Sequence, residues 1–152
     1  WCYGNGYGQF YDLDKPVGYS NTLGFEAANA AAIQSYDGYT IDFTMFNSTS
    51  QLMSHRDAVA VPSTASRWYI PSYKEMVMLY ENVGLVNERL EAVGGDLVAV
   101  TRAFYDDTSY QYWCSTYDLS NKVIRAFSML NGDWYGSKTE GTKLGCRVVL
   151  AF

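Results

Sequence analysis

Histidine is almost missing from this chain of 152 residues: His55 stands alone, beside only three cysteines and three prolines. One histidine excludes a histidine-rich metal site, and any Ser-His-Asp or Cys-His catalytic group would have to use it. It lies in Ser54-His55-Arg56-Asp57 on an expected helix, flanked by charge, and reads as part of a solvated helix face. No Gly-Xaa-Ser-Xaa-Gly nucleophile elbow is present. Cys2, Cys114 and Cys146 lack the close spacing of a zinc knuckle or a thioredoxin-type redox pair, and their odd number leaves at least one unpaired. Long hydrophobic runs are missing too. The longest, such as Val148 to Phe152, fall far short of the ~20 residues a helix needs to cross a bilayer. Basic runs are also missing: 11 Lys and Arg stand against 16 Asp and Glu, a net charge of −5. Without a basic surface to displace counterions, neither a nucleic-acid nor an anionic-membrane partner is expected, and without a long apolar run no membrane insertion is expected.

What is present is apolar and aromatic. Hydrophobic residues make up 48% and charged residues 18%, which excludes intrinsic disorder. The length suits one domain with a core that needs no staples. Fourteen tyrosines outnumber all the basic residues. A core seldom takes so many hydroxyls, so many of these rings are expected at the surface. The chain opens on Trp1 with no leader and reads as a domain, 1–152, excised from a longer protein.

Along the chain, Gln9 to Leu13 alternates like a half-exposed strand. Residues 26–35 carry strong helix formers and predict a short helix. Thr40 to Phe46 reads as a strand, Asn47 to Val59 as a helix and Pro62 to Ser66 as a loop. Ser72 and Glu75 have capping-box spacing, so a helix follows Ser72 with Met76, Leu79 and Tyr80 on one face. Gly84 is expected to stop it, and a second helix runs from Val86 to Ala92, closed by Gly94-Gly95. Strands follow at Tyr110 to Thr116 and Lys122 to Leu130. Asn131-Gly132 predicts a hairpin turn, with Trp134-Tyr135 opening the returning strand. Gly145 to Phe152 reads as an apolar strand for the middle of a sheet. Strands, helices, then strands give an α+β fold.

Several motifs reduce to bland readings. Gly4-Xaa-Gly6-Xaa-Gly8 has no strand before it and is not a dinucleotide loop. Gly132 to Thr139 has the wrong spacing for a phosphate loop. Asp12-Leu13-Asp14 continues into Val17 and Leu23 where a calcium loop needs Gly and Glu. Calcium held by loop carboxylates such as Asp106 and Asp107 stays open. Asn47-Ser48-Thr49 is a glycosylation sequon that matters only in a secretory eukaryotic context.

Three stretches carry a resemblance. They are Trp68-Tyr-Ile-Pro-Ser-Tyr-Lys-Glu75 running into a helix, Tyr112-Trp113-Cys114-Ser115-Thr116, and the closing Arg147-Val-Val-Leu-Ala-Phe152. In this order they resemble bacterial C-type-lectin-like domains of the major-paralogous type, a branch related to the formylglycine-generating-enzyme fold. The resemblance covers roughly residues 18–152. It implies two or more short helices flanking a small, mainly antiparallel sheet with long loops. It also implies an extracellular or cell-surface setting, as in pilus-tip adhesins or the variable proteins of diversity-generating retroelements, some of them phage-associated. The partner would be a protein or carbohydrate on another cell or host surface. Cys114 replaces the family's usual Ser and Cys146 lies in the closing strand. The two either pair or remain buried thiols, and both alternatives stay open. Calcium-dependent sugar-binding signatures and the oxidase cysteines are missing, so neither activity is carried over. No cofactor and no catalytic residue are expected.

The residues point to the same region. Between 105 and 138, Tyr105, Tyr110, Tyr112, Tyr117, Trp134 and Tyr135 interleave with Asp, Ser and Asn, a composition suited to contact surfaces. Trp113 and Trp68 are assigned to the core. Tyr117, Asp118, Asn121, Arg125, Asn131, Asp133, Trp134 and Tyr135 are expected to gather at one end of the sheet as a ligand-binding face. The rivals are a hydrolase using carboxylates such as Asp106, Asp107 and Glu81, and a structural capping domain.

Overall fold

The computed structural model describes residues 14–30, 35–36, 39–40, 52, 54–101, 109–118, 123–137 and 144–152. The strand expected at Gln9 to Leu13 and most of Thr40 to Phe46 lie outside them. The described elements are α1 (Gly18–Ala30), β1 (Ser35–Tyr36), β2 (Tyr39–Thr40), α2 (Tyr73–Glu81), α3 (Val83–Ala92), β3 (Gln111–Asp118), β4 (Val123–Ser128) and β5 (Trp134–Ser137). Residues 54–58 form a further helical turn. The protein is α+β. The strands β1 and β2 make a small hairpin, and β3-β4-β5 make an antiparallel sheet in chain order.

The sheet is covered on both faces, as side-chain alternation along its strands requires. On one face Tyr112, Cys114, Phe127 and Met129 join Met76 and Val98, under Tyr73, Val77, Leu79 and Tyr80 of α2 and Val83, Val86 and Leu90 of α3. On the other face Trp113 and Ala126 pack with Leu52 and Ile70, against Trp68, Leu144, Cys146 and Val148. Trp113 is therefore core, and Trp68 is a half-buried flank of it.

The capping box at α2 forms as its spacing predicts. The Ser72 amide donates to Glu75 Oε2 at 2.7 Å, and the Ser72 hydroxyl accepts from the Glu75 amide at 3.4 Å. That carboxylate does more than cap. It also accepts from the Gly18 amide at 3.1 Å and from the Tyr69 hydroxyl at 3.0 Å, which ties α1 to α2. Gly18 is required by this approach, because a Cβ there would sit 2.6 Å from the Ser72 nitrogen. Burial, then the neighbouring Glu75 charge and hydrogen bond, raise the Tyr69 hydroxyl well above its ordinary pKa.

The free edge of β3 is closed by three separate segments. Ser115 N–H donates to the Pro71 carbonyl at 2.8 Å, and Trp113 N–H to the Gly145 carbonyl at 2.8 Å. From α1, Asn21 Nδ2 donates to the Ser115 carbonyl at 2.8 Å. The Tyr73 amide, at the start of α2, donates to Thr116 Oγ1 at 2.8 Å. These bonds explain the irregular register of β3. Trp113 faces Ala126 but Tyr117 faces Ile124, so the strand bulges where Ser115 and Thr116 serve other partners.

Several expected boundaries move. The first helix begins at Gly18 rather than residue 26, and Ser35 belongs to β1. Gly84 does not stop a helix: α2 ends at Glu81, and Gly84 is the second residue of α3. One residue, Asn82, separates the two helices, and near its N-terminus a glycine is tolerated. The close of α3 follows expectation. Gly94 takes φ 69°, its N–H donates to the Glu91 carbonyl, and Gly95 N–H donates to the Leu90 carbonyl, the Schellman pattern. The closing segment is not a central strand. It bridges β3 in parallel at Gly145, then switches partner and pairs Val149 with Tyr69, while Phe152 is exposed.

Both described cysteines are free thiols, Cys114 fully buried and Cys146 half-buried. The bonded alternative is not realised, for a reason of register. Gly145 pairs with Tyr112, so Cys146 falls beside Trp113 and packs on its face, while Cys114 points to the opposite face. Burial raises both thiol pKa values, that of Cys146 to about 11.

Candidate binding face

The candidate site is built on the β4–β5 hairpin and the helix beneath it. The turn is longer than the two residues expected. Ser128 N–H donates to the Asp133 carbonyl at 2.8 Å and Gly132 N–H to the Ser128 carbonyl at 2.9 Å, enclosing Met129 to Gly132. Gly132 takes φ 77°, and a Cβ there would come 2.7 Å from the Tyr80 ring. Both facts require glycine. Asn131 Nδ2 donates to Asp133 Oδ2 at 3.1 Å, and the Asp133 amide donates to Asn131 Oδ1 at 3.3 Å. The turn is thus held from within and seated on α2.

Arg125 lies at the centre of this end. Its cross-strand partner is Gly136, which carries no side chain. Diagonally across the ladder, Trp134 lies over its guanidinium, 4.2 Å from carbon to ring centroid, while Tyr73 of α2 stands 5.4 Å away. Such stacking is favourable because the ring face is electron-rich. Arg125 is 9% exposed, so Trp134 acts as its cover, yet Trp134 itself remains 41% exposed. Leu130, Asn131 and Asp133 are exposed around it. The Tyr73 hydroxyl is pushed up by burial, drawn down by the Arg125 charge and pushed up by Cys114 and Asp133. The arrangement offers aromatic area with a polar rim, which is contact chemistry.

The eight residues expected to gather do not all meet. Arg125, Asn131, Asp133 and Trp134 share one end. Tyr117 and Asp118 pair with Ile124 and Val123, at the other end of the sheet from Trp134, which pairs with Phe127. In this antiparallel sheet Asp118 and Val123 stand at the end opposite the β4–β5 turn. Tyr135 pairs with Ala126, one register position along from Trp134. Asn121 lies outside the described residues, as do Asp106, Asp107, Tyr105 and Cys2.

Two tyrosines expected at the surface are core. Tyr110 and Tyr112 are 6% and 9% exposed, and their hydroxyls find partners inside: Gln111 Nε2 donates to Tyr110 at 3.4 Å and the Ala99 amide to Tyr112 at 2.9 Å. A satisfied hydroxyl removes the penalty that argued for exposure. Sequence reasoning missed Tyr73 and Tyr80 as parts of this end, although their places in α2 were legible from the capping box. His55 is not on a solvated face. It is half-buried, and its ring meets Trp68 edge-on at 4.9 Å.

Among the described residues no three His, Cys, Asp or Glu side chains come together as a metal site. No described helix is long and apolar enough to cross a membrane. Comparison of the chain with protein-family models, curated proteins and solved structures gave no match.

Proposed function

We propose that this chain is a non-catalytic, adhesin-like binding domain of the C-type-lectin-like kind, and that the end of the sheet around Trp134 is its binding face. The observation that carries the reading is the half-exposed Trp134 ring, fixed over Arg125 and rimmed by Asn131 and Asp133. An aromatic anchor that is already immobile loses little entropy on binding, and polar groups around it supply specificity. The fold reading has its own support. The three stretches that carry the family resemblance are joined in space: Pro71 and Tyr73 bond to Ser115 and Thr116, and Tyr69 exchanges both backbone hydrogen bonds with Val149 at 3.0 Å. The ligand is a protein or carbohydrate on another cell or host surface, and the parent protein is extracellular or surface-bound. As a retroelement target, the chain would vary in its C-terminal third.

Glycan and surface-protein arrays test this. The wild type should show saturable binding that N131A/D133A weakens about tenfold or more, compared at temperatures where both are folded because the lost Asn131–Asp133 bonds cost about 1 kcal/mol of stability. Sequences of the same locus from many isolates should show substitutions clustered at adenine-rich codons in the C-terminal third. Hits indifferent to Asn131, Asp133 and Trp134 would move the site elsewhere. Turnover of glycoside or ester substrates would replace the reading with the hydrolase one.

A further inference from the structure

A second site lies away from this face, where the chain folds back after the helical residues 54–58. The turn at Pro62 to Ala65, closed by the Ala65 amide on the Pro62 carbonyl at 3.0 Å, returns Arg67 and Trp68 alongside Arg56 and Val59. Trp68 Nε1 donates to the Val59 carbonyl at 3.3 Å, and Arg56 Nε donates to the Trp68 carbonyl at 2.7 Å. These bonds leave a cleft of about 250 Å³ lined by Arg56, Asp57, Val59, Val61, Arg67 and Trp68. It falls just below the ~300–1,000 Å³ of drug-sized ligand sites, so any occupant is small.

The charges in the cleft decide which chemistry fits. Arg56 is neutralised by its ion pair with Glu26, and its side chain is only 7% exposed. Its Nη2 is buried without an acceptor among the described residues, and because it is closed to solvent it backs the cleft without contacting an occupant. Arg67 and Asp57 are both exposed and line the same cleft, yet they form no ion pair with each other. A simple anion would be drawn to Arg67 but repelled by Asp57, and a simple cation the reverse. A ligand bearing both signs satisfies both, and its remaining body would lie along Val59, Val61 and the Trp68 indole.

The geometry points to a binding site for a free α-amino acid with an apolar side chain. Its carboxylate is held by Arg67 beside Arg56, and its ammonium by Asp57. Arginine suits the carboxylate because its planar fork donates two parallel hydrogen bonds.

The test follows the Trp68 indole N–H in a nitrogen–proton correlation spectrum, assigned by its loss in W68F. L-phenylalanine is the probe, with 3-phenylpropanoate and phenethylamine as single-charge analogues. A saturable shift is expected with L-phenylalanine, weakened about tenfold in each analogue and about tenfold in R67Q and in D57N. Both substitutions are at exposed positions, and unchanged spectra elsewhere would show that the variants remain folded. The absence of a saturable shift up to about 10 mM L-phenylalanine would overturn the proposal, since that bounds affinity below the millimolar class. Equal shifts with all three compounds, or wild-type binding by both variants, would overturn it as well. None of these outcomes depends on the Trp134 face.

Discussion

Replacing Trp134 by alanine tests whether its ring is part of the folded structure as well as part of a surface. The ring is 41% exposed, so about three-fifths of it is covered. A tryptophan buries up to ~250 Å², which makes the covered part about 150 Å². At ~25 cal/mol per Å² that is at most about 4 kcal/mol. The alanine Cβ keeps a share, and a realistic unfolded chain already hides up to ~40% of such area, so the expected loss is about 2–3 kcal/mol. This lies between the near-zero cost of a free surface ring and the ~3–5 kcal/mol of a fully buried one.

Part of that loss belongs to the pairing with Arg125, and a double-mutant cycle isolates it. R125M keeps the length of the side chain and removes the charge. Because Arg125 is 9% exposed and its guanidinium carbon lies 4.2 Å from the indole centroid, the coupling should be about 1 kcal/mol. The assay is urea unfolding followed by circular dichroism for the wild type, W134A, R125M and the double variant, with the denaturant slope held constant. A W134A cost below about 0.5 kcal/mol would refute the packing argument, since that is the range of surface substitutions away from any feature. A coupling of zero would refute the stack. Binding constants for W134A then have to be compared at temperatures where both forms are folded.

The core was legible where local chemistry and tertiary contacts agree. Ser72 and Glu75 announce a helix start because both partners of a capping box are four residues or fewer apart. Asn131-Gly132 announces a turn because only glycine sits easily at φ 77°. The alternation of Tyr112, Trp113 and Cys114 announces a strand, and here both faces proved buried. What failed depended on contacts made at long range. The start of α1 is set by Glu75, 57 residues away, receiving the Gly18 amide, and nothing within residues 18–26 reveals it. The closing segment looked like a central strand because it is apolar. Its hydrogen bonds, however, are divided between Gln111 and Trp113 of β3 on one side and Tyr69 and Ser66 on the other, and hydropathy does not show how a segment shares its partners. The binding face was half legible for a similar reason. Residues near each other in sequence were assumed to share an end, but β4 carries the chain from one end of the sheet to the other between Asp118 and Asn131. Arg56 and Arg67 went unread because their shared cleft depends on a fold-back that no motif marks.

Four further outcomes follow from particular contacts. G132A should lower stability by at least about 2 kcal/mol in the same urea assay, from left-handed backbone strain and collision with Tyr80; a cost near zero would mean the turn rearranges freely. S72A should cost about 1 kcal/mol through loss of the cap, measured by thermal unfolding; stability equal to the wild type would refute the capping role. Alkylation of the denatured, unreduced protein followed by peptide mapping should modify both Cys114 and Cys146, whereas a bridged peptide would contradict the register that places them on opposite faces. The last outcome concerns alkaline pH. Burial raises the thiol of Cys146 from its ordinary 9.0 to about 11, raises that of Cys114 further, and raises the hydroxyls of Tyr69 and Tyr73 above 10.0. The folded protein therefore holds protons that the unfolded chain gives up, so unfolding releases protons at high pH. The sign is fixed by that difference: the stabilisation is complete below about pH 9 and is lost as the pH climbs through about 11, with Cys146 alone contributing on the order of 2–3 kcal/mol. Urea midpoints should be flat between about pH 7 and 8.5 and fall steeply above about pH 9.5, and C146S should make the early part of that fall shallower. Midpoints that stay level to about pH 11 would show that these groups are more accessible to water than their packing implies.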